Sequence, residues 1–99
     1  MNDILSSFID ENGRLTAFPS KRKKKLHALI FLSQKFQPGV VYSEKEVNEL
    51  LNEWHTFGDP ATLRRELYNH RFLDRDAHGT EYRLEAVQPT IEELEKRYG

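Results

Sequence analysis

The sequence predicts an α+β fold, mostly helical with one small β-hairpin, and three observations carry that prediction. Asp59-Pro60 opens a short helix: the aspartate can accept the first free amides, and proline at the first position forfeits no hydrogen bond. Phe72–Arg75 and Glu81–Leu84 read as strands flanking Ala77-His78-Gly79, a hairpin signal. Ser43-Glu44-Lys45-Glu46 is a capping box. It precedes Val47, Leu50, Leu51 and Trp54, whose i, i+3, i+4, i+7 spacing puts them on one helical face. Two capped helices in succession and then a hairpin give the order of a winged helix-turn-helix. That architecture, with an extra helix at each end, is the prediction.

The remaining elements follow from the chain in order. Ile4, Leu5, Phe8 and Ile9 fall on one side of a short N-terminal helix that Asn2 or Asp3 can cap, and Asn12-Gly13 ends it in a turn. Leu15–Phe18 reads as a short extended piece before Pro19. Ser20 is placed to cap a long helix running to about Phe36 and stopped by Pro38-Gly39. Its apolar residues Leu26, Leu29, Ile30, Leu32 and Phe36 fill a broad arc. Ala28 and Phe31 are expected to point away from it, so Phe31 needs cover from the N-terminal helix or a second subunit. Val40-Val41-Tyr42 is a β-rich run suited to pairing with the wing. Thr90-Ile91-Glu92-Glu93, after Pro89, is a second capping box and opens a C-terminal helix.

Composition bounds the function. Ninety-nine residues suffice for one core, hence a single winged-helix-like domain over 1–99, centred on about 20–84 with the terminal helices as additions. At 37% apolar and 31% charged residues the chain reads as globular rather than disordered. No apolar run has the length of a membrane span, and no signal-peptide pattern opens the sequence. The absence of cysteine removes disulfides, thiol chemistry and cysteine-based zinc sites, and it fits a cytoplasmic protein. The net charge of −1 is unevenly spread: residues 1–11 carry −3 and residues 85–99 carry −2. Residues 12–84 hold 13 basic and 9 acidic side chains, a centre of +4 compatible with a phosphate-facing patch or an ordinary mixed surface.

Two stretches supply the candidate binding residues. With Leu63 and Leu67 turned to the core, the helix after Asp59 presents Ala61, Thr62, Arg65, Tyr68 and Asn69 on its open face and Arg64 at the edge. Thr, Arg, Tyr and Asn are side chains that reach base edges and phosphates in a major groove. The plainer reading is a solvated face with Arg64 or Arg65 paired to Glu66 or to an acid of the preceding helix. The second stretch is Lys21-Arg22-Lys23-Lys24-Lys25, in the first turns of its helix, where the macrodipole disfavours each cation by about 0.3–1 kcal/mol. A partner phosphate would remove that conflict; a tolerated solvent-facing turn is the alternative. Arg75 and His78, and with them Arg83, are placed as wing residues able to touch a nucleic-acid backbone or minor groove.

Other constellations lead nowhere. Asp74, Asp76, His78, Gly79, Thr80, Tyr82 and Glu85 match a calcium-loop spacing, but histidine is no ligand at its fifth position, Glu81 sits at an apolar one, and strands flank it. His27, His55, His70 and His78 share no metal spacing, and His70, near the Leu63/Leu67 side, reads as structural. No nucleophile–base pair, phosphate-cradling glycine loop or carboxylate pair stands out, so no enzyme, metal or cofactor is predicted.

Gly13-Arg14-Leu15, Pro19-Ser20-Lys21-Arg22-Lys23-Lys24, Tyr42-Ser43-Glu44-Lys45-Glu46-Val47-Asn48 and Leu63-Arg64-Arg65-Glu66-Leu67, in that order, resemble a bacterial domain-of-unknown-function family. The resemblance covers roughly residues 8–84. It implies a winged-helix-like fold, found alone or fused to helix-turn-helix regulators and often labelled as transcriptional regulation, and it brings no established activity or site. The chain departs from the pattern at Arg71, where glycine is expected at the end of the Arg-rich helix and would suit a left-handed cap better. The reading that results is a nucleic-acid-binding domain, DNA first, in transcriptional regulation. Its competitor is a protein-interaction or dimerisation module of a regulator, either a homodimer or bound to a regulator protein, motivated by Phe31 and the acidic ends.

Overall fold

The computed structural model describes residues 3–98. In it the chain runs through a 3-10 helix (Asp3–Phe8), α1 (Arg22–Ser33), β1 (Tyr42–Ser43), α2 (Glu44–Trp54), α3 (Pro60–Asn69), β2 (Leu73–Arg75), β3 (Glu81–Leu84) and α4 (Ile91–Tyr98). The strands make one antiparallel sheet in the order β1-β3-β2, with Tyr42 opposite Tyr82 and Arg75 opposite Tyr82 on its other edge. The α+β class is as expected. Among the described residues, no helix is long and apolar enough to cross a membrane.

The N-terminal segment coils more tightly than an α-helix. Leu5 and Phe8, three residues apart, stack on one side of a 3-10 turn, Leu5 buried and Phe8 partly so. An Asn2 or Asp3 cap lies outside the side chains described. Asp10 Oδ1 then accepts the amides of Asn12 and Arg14, both at 2.9 Å, and shapes the Asn12-Gly13 turn. The segment after it is stitched to the end of α2: the Leu15 amide donates to the Trp54 carbonyl at 2.8 Å and Thr56 donates back to Leu15 at 2.9 Å. Arg14 Nη2 donates to the carbonyls of Asn52 (2.9 Å) and His55 (2.7 Å), satisfying acceptors that the end of α2 leaves open.

α1 is shorter than the sequence predicts. It starts at Arg22, not after Ser20, and its cap residue Lys21 makes no side-chain bond. Neither a cap nor a first-turn acid supports it, so burial of Leu26, Leu29 and Leu32 must hold it in place. The helix ends at Ser33, where i to i+3 bonds from Lys35 and Phe36 tighten the chain. α1 packs against the 3-10 helix, α3 and α4, and being enclosed on several sides it buries Ala28 completely, against expectation. Phe31 is also covered from within the chain. It packs partly buried on the core, and the Lys35 ammonium sits 4.6 Å from its ring centroid and 3.9 Å from that of Trp54.

α2 and α3 begin where their caps place them. Ser43 Oγ accepts the Glu46 amide at 3.0 Å while Glu46 Oε1 accepts the Ser43 amide at 2.8 Å. Asp59 Oδ1 accepts the Thr62 amide at 3.2 Å, with Pro60 at the first helical position. Leu63 and Leu67 are fully buried, and together with Val47, Leu51, Phe72 and Tyr82 they join the helices to the sheet. α3 ends in a Schellman turn: the Phe72 amide reaches the Leu67 carbonyl at 2.9 Å and the Arg71 amide reaches Tyr68 at 3.1 Å. Arg71 holds the left-handed position at φ 68, the only described non-glycine with positive φ. At the C-terminal side, Thr90 and Glu93 close the second capping box (3.0 and 3.2 Å), and Leu94 inserts into the core.

Candidate nucleic-acid interface

The open side of α3 faces the hairpin, and the two together wall one depression. Arg64, Arg65, Tyr68 and Asn69 come from α3; Arg75 and Tyr82 come from β2 and β3. The register explains the second contribution, because Arg75 and Tyr82 are cross-strand partners. The Arg75 guanidinium stacks 4.4 Å from the Tyr68 ring centroid. The hydroxyl of Tyr82, and after it that of Tyr68, raises the Arg75 pKa above its ordinary value, and the stack on Tyr68 positions this cation in the cleft. Gly79 makes room for it: a Cβ there would come within 3.3 Å of Arg75 Nη1.

The two adjacent arginines of α3 do different work. Arg64 is only 15% exposed, donates to Asn48 Oδ1 of α2, and lies 3.7 Å from Glu44 Oε1. Its guanidinium is 5.9 Å from the Tyr82 ring centroid. This is the ion pair with the preceding helix that the sequence offers as the plainer reading, and it fixes Arg64 as a strut between α2, α3 and β3. Arg65, one residue on, is exposed on the opposite side of α3 from the core. Tyr68 and Asn69 are exposed beside it.

Other candidates sit apart from this cleft. Thr62 is half-buried at the α3 cap, and its amide is taken by Asp59. His78 is exposed at the hairpin tip. The Lys21–Lys25 turn adjoins α3 at its far end, where Arg22 and Lys25 share a depression with His70. His70 lies on the core side of α3, so the basic turn and Arg65 do not open into the same cleft. Within that turn Lys24 lies over the Phe8 ring and Lys25 over Phe18, each ammonium 5.6 Å from the centroid, while Lys21 and Lys23 are exposed. Tyr82, which the sequence shows only as a strand residue, is 3% exposed and organises the cleft from beneath.

The hairpin that carries Arg75 is held by Asp76. Its Oδ1 accepts the amides of Thr80 (2.7 Å) and Glu81 (3.1 Å), and its Oδ2 accepts the Thr80 hydroxyl. The Thr80 hydroxyl, then the Glu81 amide and, after these, the Thr80 amide bring the Asp76 carboxyl from 3.8 down to about 2. A depressed folded-state value means that this contribution is complete above about pH 4 and fades as pH falls through about 2. The Thr80 and Glu81 amide resonances should therefore shift together through that acid window, and Asp76→Asn should remove the dependence. Unshifted resonances down to pH 2 would refute this anchoring. Among the described residues, no group of three or more His, Asp or Glu is placed to hold a metal ion.

A family model described as an uncharacterized protein conserved in bacteria (DUF2087) matches residues 14–84, well over half of the chain. The chain belongs to this family. No curated protein and no solved structure matches it. The DUF2087 match begins at Arg14, which ties the N-terminal segment to α2, and ends at Leu84, the last residue of β3. The cleft residues and the Lys21–Lys25 turn therefore fall within the family region, and α4 falls outside it.

Proposed function

We propose that this DUF2087 chain is a winged helix-turn-helix domain that binds nucleic acid, duplex DNA first, in transcriptional regulation in the cytoplasm. The order α1-β1-α2-α3-β2-β3, with β1 pairing to β3, supports the winged-helix reading: α3 takes the recognition position and the β2–β3 hairpin is the wing. The observation that carries the function is the cleft where Arg65, Tyr68 and Asn69 of α3 meet the stacked Arg75 of the hairpin. Arginine, asparagine and tyrosine at one groove supply both phosphate contacts and donors for base edges, and a stacked guanidinium loses little freedom on binding. The exposed Lys21 and Lys23 add phosphate contacts outside the cleft.

The protein-partner alternative loses its first motive, because Lys35 and the core cover Phe31. The test is titration of a fluorescent mixed-sequence duplex at several salt concentrations. Four or five phosphate contacts should give a slope of log K against log salt of about −4. Replacing Lys21 and Lys23 by glutamine should flatten it by about 2. No binding at low salt would overturn the proposal in favour of a protein partner.

A further inference from the structure

Arg71 takes the left-handed position of the Schellman turn that ends α3, a position that calls for no arginine side chain. Its backbone sits at φ 68, a region where an L-residue is disfavoured and where glycine ends a helix comfortably. The side chain is exposed, away from the buried core. Backbone strain of this kind clusters at ligand-binding sites, and the side chains around Arg71 suit one.

Arg71 borders two surface depressions. One is shared with Tyr68 and Asn69, the exposed residues of the proposed reading face. The other is shared with His70 and Arg97. His70 in turn borders the depression that holds Arg22 and Lys25 of the basic turn. From the α3–hairpin cleft to the start of α1, each depression thus shares a lining residue with the next, and Arg71 is the one common to the two beside the end of α3. Cations mark each stage: Arg65 and Arg75, then Arg71 and Arg97, then Arg22 and Lys25. Three carboxylates also border it. Asp74 lies 3.8 Å from Arg83, Glu93 accepts the Thr90 amide, and Glu85 lines the same depression as Arg71 and Asp74.

We infer that Arg71 is a phosphate-binding residue that carries a nucleic-acid backbone from the α3–hairpin cleft toward the Lys21–Lys25 turn. This rests on the nucleic-acid reading above. It accounts for two facts at once: an arginine at a position that glycine takes more easily, and a basic turn that lies apart from the cleft with cation-bordered depressions between them. A guanidinium at a helix C-terminus is also favoured by the macrodipole, and its fork suits a phosphate oxygen pair.

The experiment compares wild type, Arg71→Gly and Arg71→Lys by thermal melting and by salt titration of a mixed-sequence duplex of about two helical turns. Arg71→Gly should melt a few degrees higher, because the left-handed position is relieved, yet bind about fivefold more weakly, with a salt slope smaller by about 0.9. Arg71→Lys should keep the wild-type slope. Higher stability with weaker binding is a combination that a purely structural role would not give. An Arg71→Gly chain with wild-type affinity and slope overturns the inference, and so does an Arg71→Lys chain as weak as Arg71→Gly. If wild type itself fails to bind at low salt, the reading in the preceding subsection falls and takes this inference with it; wild-type binding with an indifferent Arg71 sinks the inference alone.

Discussion

Replacing His55 by leucine should destabilise the fold by about 2–4 kcal/mol, more than any single surface change, although leucine is similar in size and more apolar. His55 is 1% exposed. The Asp59 amide donates to its Nε2 at 2.9 Å, so that nitrogen must be the bare acceptor of a neutral ring. Nδ1 therefore carries the hydrogen and donates to the Leu51 carbonyl at 2.6 Å. The ring packs edge-on to Phe57, centroids 4.6 Å apart, and its backbone pairs with Leu15. Leucine fills the space and abandons both backbone groups, each at about 1–3 kcal/mol when buried without a partner. Since the Asp59 amide belongs to the residue that caps α3, the start of that helix should loosen, and duplex binding should fall with it. A urea melt at unchanged m would read the loss directly. A loss below about 0.5 kcal/mol would show that this histidine is a filler and not a link.

His55 also marks where sequence reading stops. Helical position singles out His70 among the four histidines and gives no reason to pick His55, since the bonds that distinguish His55 run to backbone groups, which leave no trace in residue identity. Local chemistry was legible at several element starts and at the hairpin. The caps at Ser43 and Asp59, the second box at Thr90 and the strands around Gly79 all lie where side-chain chemistry places them. Start and end of α1 were not, because Ser20 is a competent cap by type and only tertiary packing decides that Lys21 takes that place. Phe31 had the same cause: helical spacing gives its direction, while the Lys35 ammonium that lies over both it and Trp54 is placed by tertiary packing.

The cleft was half legible for a related reason. Helical spacing alone puts Arg65, Tyr68 and Asn69 together, and they do share a wall. Strand register brings Arg75 opposite Tyr82, and a one-residue slip would have sent it to the other face. Spacing along the chain carries no information about the distance from Lys21–Lys25 to α3, and only the packing of α1 on α3 places that turn at His70. Arg71 was visible as an oddity in sequence, and its positive φ gives the oddity a physical meaning.

Arg64 and Arg65, indistinguishable by type and neighbouring in sequence, should separate cleanly when each is replaced by alanine. Arg64→Ala removes the bond to Asn48, the approach to Glu44 and the guanidinium near the Tyr82 ring, so its effect belongs to stability, at about 1–2 kcal/mol. The loss stays modest because Glu44 is half exposed and water can replace the ion pair. Arg65→Ala should leave the melt within about 0.5 kcal/mol of wild type, as exposed substitutions do. Its effect belongs to binding. On a duplex selected for tight binding it should cost about 1–3 kcal/mol, tenfold or more, and most of the preference for the selected sequence should go with it. Lys23→Gln, by contrast, should weaken selected and random duplexes alike and reduce the salt slope by about 1. If Arg65→Ala instead weakened both duplexes equally, Arg65 would be one more phosphate contact, and the reading of bases would have to rest on Asn69. If Arg64→Ala lost specificity at unchanged stability, the strut would be the reader, and the assignment of the two arginines would be reversed.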